Sequence, residues 1–265
     1  MSKQYIKKFA SASAANDYPI VDIPFTTTVI GGGGSPQNLT CNQEGMKLVN
    51  NGGTITVESA GPSVELVDLG LSVKWMKYNL GATGGNSAQS WYGGYYAWAE
   101  TSGRTVDYEQ ETCSPSCDWA HYKYYANGEV SKYNETDGLT TLQAGDDVIT
   151  ATYGAGYSMP TKAEIGELTG LTNEWVEDYQ GISGLNGRLF HGTGAYSANT
   201  LFIPAAGYCL GGDLVNVANV GCVWSSSLNE DDSENAWRLR FYSGDVYAND
   251  YYRYYGYSVR GVSRS

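Results

Sequence analysis

The sequence predicts an α+β fold, with two short helices set in a mixed antiparallel sheet of many short strands and a small β-rich module in front. Three features carry that expectation. Glycine is abundant, 34 residues in 265, and falls between short apolar runs as turn residues do. Only two segments carry both a helix start and a helix stop signal. In AWRLRFYSGDV, residues 236–246, side chains alternate with the period of a strand.

Residues 1–62 read as a separate module. IKKFASASAANDY suits a short helix that Pro19 ends, and DIPFTTTVI suits a strand. The run Gly31–Gly34 lacks a following Gly-Lys-Ser/Thr, so it reads as a loop and not a phosphate cradle. In KLVNNGGTITVES two β-rich segments flank an Asn-Gly-Gly turn. A unit this small buries little core, which suggests an anchoring or oligomerising role.

Residues 63–265 form the second domain. VELVDLGLSVKWMKYNLG gives two strand-like runs. A first helix is expected from about Leu142 to Tyr153, with Asp146 and Asp147 early, Val148 and Ala151 on one face, and Gly154 as the stop. The second follows Pro160: Thr161 and Glu164 have capping-box spacing, Ile165 and Leu168 form an apolar stripe, and Gly170 ends it. Beyond it the chain is β-like. Trp237, Leu239 and Phe241 share one strand face; Arg238, Arg240 and Tyr242 share the other. Ser243-Gly244-Asp245 makes a turn and Val246 opens the next strand. Trp75, Trp224, Leu239, Phe241 and Val259 are the expected core.

A formal net charge of −12 disfavours phosphate-backbone binding and anionic membranes. No apolar run is long enough to span a bilayer, and the start of the chain is too polar for a secretory signal, so assembly in a cytoplasm is expected. Among five cysteines, Cys113 and Cys117 are close enough to pair around Pro115, whereas Cys41, Cys209 and Cys222 have no evident partner. The two histidines, His121 and His191, belong to no HExxH motif, and no Gly-x-Ser-x-Gly elbow exists, so no catalytic residue is expected. LNEDDSEN, residues 228–235, offers oxygen ligands of the type calcium takes, but reads first as a solvated acidic loop. Neither a metal nor another cofactor is expected.

Tyrosine is the outlier: 23 Tyr and 7 Trp against 5 Phe. Six of those tyrosines crowd VYANDYYRYYGYSVRG, residues 246–261. Each hydroxyl needs a partner once it leaves water, so such a cluster suits a wet contact surface better than a core.

Several motifs occur in a fixed order: LVDLGLSVKWMKYNLGA, YYAWAET, YSMPTKAEIGEL, LFIPAAGY, VWSSS and YSVRG. In this order, from Val64 to Gly261, the chain resembles the FISUMP-type major paralogous domain, a bacterial and phage branch of the C-type lectin fold. It departs from that family at Tyr157-Ser158, where Trp-Arg is usual, and at Gly261, where Pro is usual. Within the branch it looks like the variable proteins of diversity-generating retroelements, in which a reverse transcriptase randomises template adenines. Asn codons so treated yield Tyr, Asp, Ser, Cys and Arg but never Lys, Gln, Glu, Met or Trp. Lys, Gln and Met are absent after Gln180, and Glu230, Glu234, Trp224 and Trp237 must then be scaffold. Cys209 and Cys222 would be chance products of randomised codons. The start, YIKKFASASAANDYPIVDIPFTT, resembles tail-associated proteins of gut phages. The fold also includes formylglycine-generating enzymes, which depend on reactive cysteines. The glycan-binding calcium motifs of the fold, Glu-Pro-Asn or Gln-Pro-Asp with Trp-Asn-Asp, are missing here.

The resemblance implies a C-type lectin-like domain with a variable region at about residues 209–255. Its expected ligand contacts are Arg238, Arg240, Tyr242, Asp245, Tyr247 and Asn249, continued by Asp250, Tyr251, Tyr252, Tyr254 and Tyr255. Asp213, Val215, Val220 and Cys222 would form the rim. Tyr offers large contact area with few rotatable bonds, and Arg238, Arg240 and Arg253 stack on rings or pair with acids. The expected partner is a protein or glycan ligand on a target cell surface, met by a phage tail-associated protein whose first module offers a route to a homo-oligomer. A non-diversified surface adhesin or glycan-binding module of a gut bacterium is the alternative.

Overall fold

The computed structural model describes residues 64–264 and, before them, the backbone of four short strands. The chain divides into two compact units, Met1–Ser63 and Val64–Ser265. The expected N-terminal helix and the Gly31–Gly34 run lie outside the described residues.

In the first unit β1 (Phe25–Thr26) pairs antiparallel with β2 (Thr40–Cys41). β3 (Met46–Asn51) pairs with β4 (Thr54–Ser59), and the Asn51↔Thr54 register leaves Gly52-Gly53 as a two-residue connection, the hairpin its Asn-Gly-Gly sequence favours.

The second unit is mostly β-sheet with three α-helices among the described residues. It opens with β5 (Leu66–Val67), β6 (Lys74–Met76), the four-residue α1 (Gln89–Tyr92) and β7 (Tyr95–Tyr96). β8 (Thr105–Asp107) and β9 (Thr112–Cys117) follow, then a 3-10 turn over Trp119–His121 and the small hairpin of β10 (Tyr125–Ala126) and β11 (Glu129–Val130). α2 (Val148–Tyr153), β12 (Tyr157–Ser158) and α3 (Lys162–Thr169) occupy the middle. Three strands come next: β13 (Asn173–Val176), β14 (Gly187–His191) and β15 (Thr200–Pro204). The remainder comprises β16 (Tyr208–Val215), β17 (Gly221–Leu228), β18 (Asn235–Phe241), β19 (Val246–Tyr252), β20 (Tyr257–Ser258) and β21 (Val262–Ser263). No described helix is long and apolar enough to cross a membrane.

The main sheet has the order β19-β18-β17-β20-β7, antiparallel except where β17 runs parallel to β20 through Val223↔Ser258. Beside it stand a sheet of order β12-β21-β6-β5 and two three-stranded sheets, β13-β14-β15 and β16-β9-β8. Trp75, Leu239 and Phe241 pack with Ile165, Leu168 and Val223 in one core cluster. Trp224 and Val259 join Trp98, Ile149 and Tyr257 in a second. The five expected core residues are therefore all buried. Of the three fully buried indoles, Trp98 Nε1 donates to Ser225 O at 2.8 Å and Trp224 Nε1 to Tyr96 O at 2.9 Å, whereas Trp75 Nε1 has no hydrogen-bond partner.

Both expected helices exist, with one change. α3 begins where its capping box places it, and Gly170 caps its end. α2 starts at Val148 and not near Leu142, because Asp147 is its N-cap: Asp147 Oδ1 accepts from the Ile149 and Thr150 N–H groups at 3.0 Å. The preceding segment is drawn into a turn instead, with Leu142 N–H donating to Ser226 O at 2.9 Å. α1 has no side-chain cap, so no start signal marks it in the sequence.

Two further expectations are corrected. Cys113 does not pair with Cys117; it forms a disulfide with Cys209. Cys113 and Cys117 both lie on β9, but Cys113 is drawn to the neighbouring strand β16, which carries Cys209. Cys209 is thus a structural residue, not an unpartnered one. Trp237 is only half-buried, unlike its strand mates Leu239 and Phe241, and the Lys162 ammonium sits 3.2 Å over its ring.

Gly207 links β15 to β16 with φ +70°, and a Cβ there would stand 2.4 Å from Val215 O. Gly207→Ala is expected to destabilise the domain by at least about 2 kcal/mol, read as a lower urea midpoint; an unchanged midpoint would mean that the loop yields freely.

Candidate ligand-contact face

The β18–β19 hairpin sets the frame. Its register opposes Arg240 to Tyr247, Arg238 to Asn249, Ala236 to Tyr251 and Asn235 to Tyr252. β19 is the sheet edge, so β18 alone supports it within the sheet, and α3 packs against it.

Of the expected contact residues, Tyr242, Asp245, Tyr251 and Tyr252 are exposed, as is Asp213 at the rim. Arg240, Tyr247, Asn249, Asp250, Tyr254 and Val215 are half-buried. Four expectations fail on accessibility: Arg238, Val220, Cys222 and Tyr255 are buried. Arg238 shows why alternation misled. Its guanidinium lies under the Tyr251 ring at 4.4 Å and against the Tyr257 ring at 4.6 Å. Its Nε donates to Asn249 Oδ1 at 3.2 Å, and its Nη1 donates to the Tyr257 hydroxyl. The larger rings roof over the charge. Arg240, by contrast, donates to the Tyr247 hydroxyl and remains half-exposed.

After β19 the chain alternates outward and inward. Tyr252 and Tyr254 face out and stack at 5.5 Å, while Arg253 and Tyr255 turn in. Arg253 is fully buried and pins the segment from beneath. Its Nε donates to the Tyr122 hydroxyl at 2.9 Å, Nη1 to Ser233 O at 2.8 Å and Tyr133 O at 3.2 Å, and Nη2 to Lys132 O at 3.0 Å. Trp98 lies 4.7 Å from its guanidinium. Arg253 therefore belongs to the framework, not to the contact surface.

The outward rings meet two that the sequence reading missed. Trp119 is edge-on to Tyr254 at 4.8 Å and to Tyr252 at 6.1 Å, and it stacks on Tyr125 at 4.5 Å. Tyr251, Tyr252, Tyr254, Trp119 and Tyr125 thus form one continuous run of half-exposed or exposed rings. A signal for the second part existed: CDWAHYKYYANG, residues 117–128, has the same Trp/Tyr/Asn/Gly vocabulary as the C-terminal stretch. Asp118 caps the turn that carries Trp119, accepting from His121 N–H at 3.1 Å and bonding the His121 ring at 2.7 Å.

The acidic loop is closed on itself by short-range bonds, among them Asn235 Nδ2 to Asp232 Oδ2 at 2.9 Å, and is tied to β19 by Asn229 Nδ2 to Asp250 Oδ2 at 3.0 Å. Among the described residues no group of three or more His, Cys, Asp or Glu side chains is placed to hold a metal ion. His191 bonds Glu174 at 3.1 Å.

No family model, curated protein or solved structure matches this chain. A rigid, multiply anchored backbone presents a patch of amphipathic rings, flanked by Arg240, Asp245 and Asp250 as polar handles. Such a surface offers a partner large contact area together with hydrogen-bonding ring tips.

Proposed function

We propose that residues 64–265 form a C-type lectin-like scaffold that displays a retroelement-diversified, Tyr-rich face, carried on a phage or prophage particle, and that this face grips a protein or glycan on a target cell. The observation that carries the reading is the in-and-out alternation at residues 252–255. Outward Tyr252 and Tyr254 stack on each other and meet Trp119 edge-on, while inward positions hold Arg253 and Tyr255 in the framework. The ordered motifs between Val64 and Gly261 support the fold assignment, and the residue vocabulary after Gln180 supports diversification. The contact set narrows to Tyr242, Asp245, Tyr247, Tyr251, Tyr252 and Tyr254, with Trp119 and Tyr125 added. Arg238, Cys209 and Cys222 become framework.

Ring anchors at the centre of an interface dominate its affinity. Tyr252→Ala, which removes the most exposed of these C-terminal rings and leaves the cover over Arg238 in place, is expected to weaken retention on the target cell at least about tenfold while shifting the melting temperature by no more than about 2 °C. Undiminished retention overturns the contact face; a large loss of stability returns the rings to the core. Diversification is tested separately in the neighbouring DNA, where a reverse-transcriptase gene and an adenine-rich near-copy of the C-terminal coding segment are expected. Their absence leaves a non-diversified adhesin.

A further inference from the structure

Three cysteines meet behind the ring patch. Cys113 and Cys209 are joined, and Cys117 is a buried free thiol on the same strand as Cys113. Gly256 brings them together. Its backbone pairs with Cys209 through N–H···O bonds of 2.8 and 3.0 Å in both directions. The point where a Cβ on Gly256 would stand is 2.9 Å from Cys117 Sγ and 3.5 Å from Cys209 Sγ. Only glycine leaves room there for both sulfurs. The sheet register agrees, since Cys117 opposes Gly211, and Cys209, two residues from it, points to the same face.

Beside Cys117 lies Arg104, itself buried and held by Glu100 Oε2 at 2.7 Å. Its Nε and Nη2 are buried without a hydrogen-bond partner, and its positive charge lies near the Cys117 sulfur. Burial pushes the Cys117 thiol up, and the Arg104 guanidinium and the Gly256 backbone offset only part of that rise.

We propose that Cys117 is an internal nucleophile that exchanges with the Cys113–Cys209 disulfide, giving the domain two interchangeable staples. Cys117 loses its proton to solvent, and its thiolate attacks Cys209 Sγ. The Cys113–Cys209 bond breaks, the Cys117–Cys209 bond forms, and Cys113 leaves as a thiolate that takes up a proton. No oxidant or reductant is consumed. The exchange moves the tie from the start of β9 to its end, next to Asp118 and the turn that carries Trp119. It also frees Cys113, whose sulfur lies 3.5 Å from Asp213 O, from β16. This inference does not depend on what the ring patch binds.

The test is peptide mapping of the folded, non-reduced full chain after prolonged incubation at about pH 9, where the thiolate fraction is larger than at neutral pH, followed by alkylation and acid quench. A Cys117–Cys209 peptide together with alkylated Cys113 is expected, and both signals should be lost in Cys117→Ser. In Cys113→Ser, oxidation should join Cys117 to Cys209. Finding Cys113–Cys209 as the sole linkage in the wild type under these conditions overturns the proposal, whether or not the variants fold. So does a folded Cys113→Ser protein that keeps both remaining thiols free after oxidation.

Discussion

Arg253→Ala is expected to lower the melting temperature of the domain by about 10 °C. The side chain is fully buried and its guanidinium meets three backbone carbonyls, from Lys132, Tyr133 and Ser233, as well as the Tyr122 hydroxyl. Truncation strands those acceptors in a dry site and opens a void against Trp98. Hydrogen bonds to a charged group and their unpaired remainders are worth at least about 3 kcal/mol together. For a domain of this size each kcal/mol moves the midpoint by about 2–4 °C. The same change should loosen the ring patch, because Arg253 stands between Tyr252 and Tyr254. A calorimetric scan decides it. A shift comparable with that of a surface substitution would mean that water readily replaces the guanidinium.

Asp146→Asn is the second large expected loss, about 2–3 kcal/mol at neutral pH by urea unfolding. This carboxylate, itself buried, collects four donors: Lys123 Nζ at 2.7 Å, Lys132 Nζ at 2.6 Å, Tyr124 Oη at 2.5 Å and Tyr133 Oη at 2.7 Å. Burial alone would raise its titration point, but the two ammonium and two phenol partners outweigh burial and hold it well below the usual carboxylate range. Its stabilising effect is therefore complete above the unfolded-state value of about 4 and fades as the pH falls further. The gap between wild type and Asp146→Asn should accordingly be widest at neutral pH and narrow on acidification below about pH 4. A gap independent of pH would show that shape, not charge, makes Asp146 matter.

Local signals in the sequence were read well where the cause is local. The Thr161 capping box, the Gly154 and Gly170 stops and the Asn-Gly-Gly hairpin involve residues a few positions apart, and the structure has each of them. The buried positions Trp75, Trp224, Leu239, Phe241 and Val259 were legible from apolar identity within β-like segments. Long-range causes were not legible. Cys113 and Cys209 are 96 residues apart, and nothing near either one announces the other. Arg238 sits on the face opposite Leu239, as alternation requires, yet it is covered, because Tyr251 and Tyr257 come over it from other strands. Trp119 and Tyr125 join the C-terminal rings only through the packing of the 3-10 turn against residues 252–254. Strand period assigns a side chain to a face. Whether that face is wet depends on what else arrives there.

One small sheet has a consequence for how the domain is connected. β5, the first strand of residues 64–264, and β21, the last, flank the same strand β6, with Val67 and Val262 both opposite Trp75. Two strand spacings separate them, about 10 Å. A few added residues would join the two ends, and a cut at the exposed Asn127-Gly128 tip between β10 and β11 would then give a circular permutant with every strand pairing retained. By the same geometry the whole unit can be spliced as a cassette into a surface loop of a host protein, entering and leaving through one doorway.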